Sequence, residues 1–179
     1  MKVGINGFGR IGRLVFRALW NRPGVELVHV NEIAGDAAAA AHLFCFDSVH
    51  GRWTESVEVE GDGFRVGRSP VGWSRHRDPV AVPWADAGVE MVLECTGRIK
   101  TPTALQPYFD QAGLSRVLVA CPVAGVLAGE EALNLVYGIN HHRYDPLRHR
   151  LVTAASCTTN CLAPLVKVCL LYTSDAADE

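Results

Sequence analysis

The run Gly7-Phe8-Gly9-Arg10-Ile11-Gly12 constrains this chain more than any other feature. It follows a short apolar segment, residues 2–6, and precedes a segment whose apolar residues recur at helical spacing. A G-x-G-x-x-G pattern between a strand and a helix is the turn at which a parallel sheet meets a dinucleotide. Gly7 allows the tight turn, Gly9 lets the backbone approach a pyrophosphate, and Gly12 lets the helix pack close to the sheet. Amides near Arg10 and Ile11 would face the phosphates from the helix N-terminus. Glu32 stands twenty positions beyond Gly12, at the end of a second strand expected over residues 26–32. Its carboxylate can accept hydrogen bonds from a ribose diol and would repel a 2′-phosphate, which favours NAD over NADP. The competing reading is a glycine turn in a sheet protein that binds nothing.

The remaining pattern alternates strands and helices. A helix is expected over 11–21, with Ile11, Leu14, Val15, Ala18 and Leu19 on one face and Pro23-Gly24 as its stop. An alanine-rich helix follows at about 36–44. Segments 57–60 and 64–66 flank Gly61-Asp62-Gly63 as a hairpin. Buried strands are expected at 91–95, 116–121, 134–137 and 149–154. Thr101 and Pro102 open another helix as N-cap and first turn. The fold class is therefore α/β, a doubly wound and mostly parallel Rossmann sheet that binds ligands at the carboxyl ends of its strands.

The 179 residues suit one domain, or one domain and the start of another. With 49% hydrophobic and 20% charged residues, a packed core is expected. The net charge of −2 gives no electrostatic footprint for nucleic acid or an anionic membrane. No apolar run approaches the ~18 residues of a membrane span. The opening Met1-Lys2-Val3-Gly4-Ile5-Asn6 reads as a strand and not as a signal peptide. Six cysteines in a core-rich chain of this length read as reduced thiols of a cytoplasmic protein rather than a secreted disulfide scaffold. Cys95 and Cys121 fall in apolar strand-like runs and read as core residues.

Ser156-Cys157-Thr158-Thr159-Asn160-Cys161 lies where the last strand gives way to a helix expected to about residue 168. Ser156 suits the N-cap. Cys157 then falls in the first turn, where the helix macrodipole favours a thiolate and a nucleophile toward a carbonyl. The threonines could hold a phosphate or an oxyanion. Cys161 shares the helix face and reads as structural. Two buried structural cysteines, a metal pair and a redox couple remain alternatives. No further Cys or His stands at ligand spacing, which weighs against a metal.

The segment Ser156-Cys157-Thr158-Thr159-Asn160-Cys161-Leu162-Ala163-Pro164 matches the signature of phosphorylating glyceraldehyde-3-phosphate dehydrogenases, and the chain resembles the N-terminal half of that family. Val3 to Arg13 resembles the family's opening. Asn31-Glu32 resembles its Asn-Asp pair, and Phe46-Asp47-Ser48-Val49-His50-Gly51 its Asp-Ser-x-His-Gly segment. Arg77-Asp78-Pro79 with Trp84, and Glu94-Cys95-Thr96-Gly97-Arg98, match two further blocks. The resemblance runs from residue 2 to about 168.

It implies an NAD-dependent oxidoreductase of glycolysis. Arg10 and Ile11 would meet the pyrophosphate, Glu32 the adenosine ribose, and Arg77 the adenine end. Thr96 and Gly97 would line the cofactor cleft. Cys157 would be the nucleophile, with Ser156 and Thr158 at the aldehyde phosphate or the attacking inorganic phosphate. A thiohemiacetal at Cys157, a thioester and then an acyl phosphate would follow in turn. Residues 1–152 would be the NAD-binding domain, 153–168 the start of a catalytic domain, and 169–179 a tail foreign to the family. The full-length assembly would be a homotetramer.

Several positions depart from the family. Glu32 replaces its aspartate, and Ala120-Cys121-Pro122 stands for its Ser-Ala-Pro, which removes a hydroxyl from the cofactor's surroundings. The stretches around Asn31-Glu32-Ile33, His42-Leu43 and Asp47 to Trp53 resemble the branch found beside arsenate-resistance transporters. In that branch arsenate would be the attacking anion. The family's activating histidine lies beyond the thiol, whereas all seven histidines here precede it. The chain alone is therefore expected to bind NAD weakly and turn over little aldehyde. Erythrose-4-phosphate dehydrogenase, which shares the thiol motif, and a non-catalytic NAD-binding module are the rival readings. A role in RNA binding has little support from the charge.

Overall fold

The structure is a computed structural model that describes residues 1–110, 112–123, 125–127 and 130–173. Strands β1 (Lys2–Asn6) and β2 (Glu26–Asn31) are parallel, joined through helix α1 (Arg10–Leu19). Asp36 caps α2 (Ala37–Cys45) by accepting from the Ala39 amide at 2.8 Å. An antiparallel meander follows: β3 (Val57–Glu60), β4 (Gly63–Val66) and β5 (Ser69–Ser74). Next come β6 (Met91–Glu94), α3 (Pro102–Asp110), β7 (Arg116–Val119), β8 (Leu133–Asn134) and β9 (Leu151–Thr153). Helix α4 (Cys157–Thr173) ends the described chain.

The nine strands form one sheet in the order β8-β9-β7-β6-β1-β2-β5-β4-β3. All pairings from β8 through to β5 are parallel, and only the β5–β4 and β4–β3 pairings are antiparallel. From β1 the chain winds first toward β2 and later returns to β6 on the other side. This reversal opens a crevice at the carboxyl ends of β1 and β6.

Alternation along the strands sends successive side chains to opposite faces, and each face has its own core. Val3, Ile5 and Leu93 join Phe16 of α1 and Ala40, Ala41 and Phe44 of α2 on one face. Val92, Val117 and Val119 join Leu105, Tyr108 and Phe109 of α3 on the other. Phe16 meets Phe44 edge-on, with ring centroids 4.8 Å apart. The indole of Trp84 lies beneath β1, where a Cβ on Gly4 would come within 2.5 Å of its ring.

Some sequence expectations shift. Helix α1 buries Gly12 and Phe16, one turn apart, while Ile11 at its open start is 49% exposed and Ala18 is exposed. The sheet meets α1 at its middle, so the apolar stripe read from periodicity is displaced by part of a turn. Strands expected at 134–137 and 149–154 shorten to Leu133–Asn134 and Leu151–Thr153. Helix α4 runs to Thr173, five residues past the expected 168, because Cys169, Leu170, Leu171 and Tyr172 continue its turns. Of the expected tail, residues 174–179 lie outside the described residues.

Candidate active site

The glycine turn closes β1 onto α1 under two steric demands. Gly7 has φ +93°, and a Cβ there would sit 2.7 Å from the Thr96 amide. A Cβ on Gly12 would lie 2.0 Å from the Gly7 carbonyl oxygen, so α1 can approach the turn only without one. Gly9 differs: nothing lies within 4 Å of the position its Cβ would take. Gly9 is also the N-cap of α1 and offers no side-chain cap. The first amides of α1 therefore face open space at the positive end of the helix dipole, a cradle suited to a pyrophosphate.

Beside this cradle is a cleft of about 270 Å³ lined by Gly7, Gly9, Glu32, Arg77 and Thr96, all expected from the sequence. Arg10 and Ile11 are exposed at its rim, Gly12 is buried beneath it, and Gly97 stands exposed after Thr96 with φ +66°. Glu32 is more occupied than its sequence position suggests. Its two carboxylate oxygens accept from the Phe8 amide at 2.7 Å and the Ala34 amide at 2.9 Å. Each oxygen keeps a lone pair for a ribose hydroxyl. The Glu32 carboxylate thus ties the residue after β2 to the glycine turn.

No local pattern announces the polar chain beneath the cleft. Asn31 holds the backbone before Arg77 from both sides, accepting from the His76 amide and donating to the His76 carbonyl, both at 2.9 Å. It also donates to Asn6 Oδ1 at 2.7 Å and accepts from Ser74. Asn6 Nδ2 donates to Glu94 Oε2 at 2.7 Å and to Tyr108 Oη at 2.6 Å, and Tyr108 in turn donates to Glu94. Thr96 bonds Glu94 through its amide and its hydroxyl. Burial and the Glu94 carboxylate push the Tyr108 phenol well above its usual range, which keeps it a donor. Burial likewise pushes the Cys95 thiol up to about 12.

The thiol motif is a separate place on the same sheet edge. Ala154 donates to the Val119 carbonyl at 2.9 Å, and the chain then turns through Ala155, whose φ is +55°. Ser156 caps α4 by accepting from the Thr159 amide at 3.0 Å and bonds the hydroxyls of Thr158 and Thr159. Cys157 is the first helical residue and is exposed. Cys161, read as structural, is also exposed here. Ser156, Cys157 and Thr158 do not line the glycine cleft. Thr158 instead lines a shallow cavity of about 610 Å³ along α4, with Ile139, Leu162 and Val166.

Among the described residues, no group of three or more His, Cys, Asp or Glu side chains could hold a metal ion, and no helix is long and apolar enough to cross a membrane. Residues 1–102 match the family described as glyceraldehyde 3-phosphate dehydrogenase, NAD binding domain. The chain belongs to the glyceraldehyde 3-phosphate dehydrogenase family. The matched family is described by its NAD binding domain, and the open cradle at Gly9 has room for a dinucleotide phosphate. The chain is 56% identical over 168 residues to glyceraldehyde-3-phosphate dehydrogenase 3 of Nostoc sp., covering 94% of this chain and 48% of that protein. It is 45% identical to glyceraldehyde-3-phosphate dehydrogenase 1 of Bacillus subtilis, with the same coverage. The glyceraldehyde-3-phosphate dehydrogenase of Geobacillus stearothermophilus is 43% identical, again over 94% and 48%. The chain spans about half the length of the curated relatives it matches.

Proposed function

We propose that this chain is the cofactor-binding half of an NAD-dependent dehydrogenase that oxidises glyceraldehyde 3-phosphate to an acyl phosphate. Residues 1–152 form its NAD-binding domain and 153–168 begin its catalytic domain. One observation carries the reading: the exposed thiol of Cys157 opens α4 directly after β9, on the sheet edge that also carries the glycine cleft. A dinucleotide anchored at Glu32 and the start of α1 would extend along that edge toward the thiol.

Glu32 would accept from the adenosine ribose, the first amides of α1 would hold the pyrophosphate, and Arg77 would flank the adenine. Thr96 and Gly97 would wall the cleft. NAD, when bound, supplies the acceptor for the hydride that leaves the substrate carbon. The thiolate of Cys157 would add to the aldehyde carbon, and loss of hydride would leave a thioester on its sulfur. Inorganic phosphate would then displace the thiolate, giving the acyl phosphate and restoring Cys157. Ser156 and Thr158 would orient the phosphate groups. Arsenate is the alternative anion, and erythrose 4-phosphate the alternative aldehyde. Six cysteines in a core-rich chain support a cytoplasmic setting, and the complete protein would assemble as a homotetramer.

Calorimetric titration of the chain with NAD and NADP tests the cofactor half: NAD should bind and NADP should bind more weakly. A full-length protein carrying Cys157→Ser should keep NAD affinity and lose turnover with every aldehyde and anion. Turnover surviving in that variant would sink the thioester route. A second reading, an NAD-binding module without thiol chemistry, draws on Cys157 lying outside the cleft lining. It predicts that the unaltered protein binds NAD but turns over no aldehyde, so that Cys157→Ser changes neither.

A further inference from the structure

Glu94 is 1% exposed and ends β6, the strand beside β1 at the reversal point of the sheet. Burying a carboxylate is costly unless its oxygens are satisfied. Here every contact is a donor: Asn6 Nδ2, Tyr108 Oη, the Thr96 amide and the Thr96 hydroxyl. The direction of the last two hydroxyls is fixed from behind. Tyr108 Oη accepts from Asn6, and Thr96 Oγ1 accepts from the Arg98 amide at 3.1 Å, so each has its proton left for Glu94. Glu94 is thus an acceptor throughout, the role of a carboxylate. No salt bridge among the described residues includes it. Arg98 and Lys100, the next cations along the chain, are exposed and screened by solvent.

From Glu32 after β2, the strand order leads across β1 and β6 toward β9 and Cys157, and a dinucleotide held by Glu32 would follow that order. Its nicotinamide half would therefore lie on the Glu94 side of the cleft. The oxidised ring carries a positive charge and the reduced ring carries none. A fixed buried charge in low dielectric discriminates between two such states of one ligand. We propose that Glu94 sets the preference of this site for the oxidised cofactor over the reduced one. The proposal rests on the cleft binding NAD as argued above.

The test is a ratio. Dissociation constants for NAD⁺, NADH and AMP are measured on the chain and on Glu94→Gln by fluorescence or calorimetry. The phosphates are common to both redox forms and cancel in the ratio, whereas a loosened cleft weakens both forms together. Removing the charge should shift the Kd ratio, NAD⁺ over NADH, upward by roughly three- to tenfold, with AMP affinity nearly unchanged. Glu94→Asp, which keeps the charge, should restore the ratio. If Glu94→Gln does not fold, Cys121→Lys serves instead. Cys121 lies two residues past β7 and is half-buried; burial raises its thiol pKa first, Lys100 opposes this, and the Glu94 charge adds to it. A cation there should move the ratio the same way, and Cys121→Met should not. An unchanged ratio in the charge-altering variant overturns the proposal. Absence of binding by the unaltered chain would overturn the underlying assignment of the cleft as well.

Discussion

The Asn160 side-chain amide donates to the Ala154 carbonyl at 2.8 Å and to the Ser156 carbonyl at 2.9 Å, bridging the one residue between them. That residue, Ala155, is buried and adopts a left-handed φ of +55°. The turn that delivers Cys157 to the start of α4 is thus strained and held from inside the helix it precedes. Ala155→Gly should relieve the Cβ clash and raise stability by about 1 kcal/mol in urea denaturation. Asn160→Ala should lower it by about 1–2 kcal/mol through the two lost bonds. A loss of stability in Ala155→Gly would refute the strain.

Gly9 and Gly12 separate folding from binding. Gly12→Ala places a methyl against the Gly7 carbonyl oxygen and should cost about 3 kcal/mol or more. Gly9→Ala enters open space with φ −66°, so stability should stay within about 0.5 kcal/mol. The same methyl would occupy the cradle and weaken NAD binding by at least tenfold, about 1.4 kcal/mol. Parallel thermal melts and NAD titrations check the pair.

Acid should weaken the fold through His29. Burial, aided by His76, lowers its pKa from 6.5 to about 4, and Ser74 meets its Nε2 at 2.9 Å. Between those values the unfolded chain binds more protons than the folded one, so stability falls as pH drops from about 6.5 toward 4. The loss at the lower limit is on the order of 3 kcal/mol. Denaturation midpoints of His29→Gln across this window should show a shallower slope. An identical slope would assign the acid sensitivity elsewhere.

Helix α4 leaves Leu162 60%, Val166 43% and Leu170 63% exposed, one turn apart along a single face. A contiguous apolar stripe of this kind drives association. Sedimentation velocity should show concentration-dependent self-association of the chain, and Leu162→Glu with Val166→Glu should abolish it without lowering the melting temperature. A monomer at all concentrations would contradict this.

The glycine turn, the acid at Glu32 and the cap at Ser156 were legible because each depends on residues within one turn or on fixed spacing. Strand β5 was not, since Pro70 and Gly72 break the alternation that marks a strand, and pairing with β2 and β4 overrides it. The Asn31–Asn6–Glu94–Tyr108 chain was invisible for another reason. Its bonds join positions 14 to 102 residues apart, and only the winding of the sheet brings them together. Asn160 sat in a recognised motif, yet its contacts depend on a backbone reversal that no local pattern announces.

The sheet as described ends at β3 on one side and β8 on the other. β3 reads Val-Glu-Val-Glu, with both glutamates exposed, and β8 is two residues long. A charged rim on one flank and a truncated rim on the other offer an incoming strand almost no ladder to extend. Copies of this chain are thereby steered from stacking edge to edge, the route to fibrils, even while α4 draws them together.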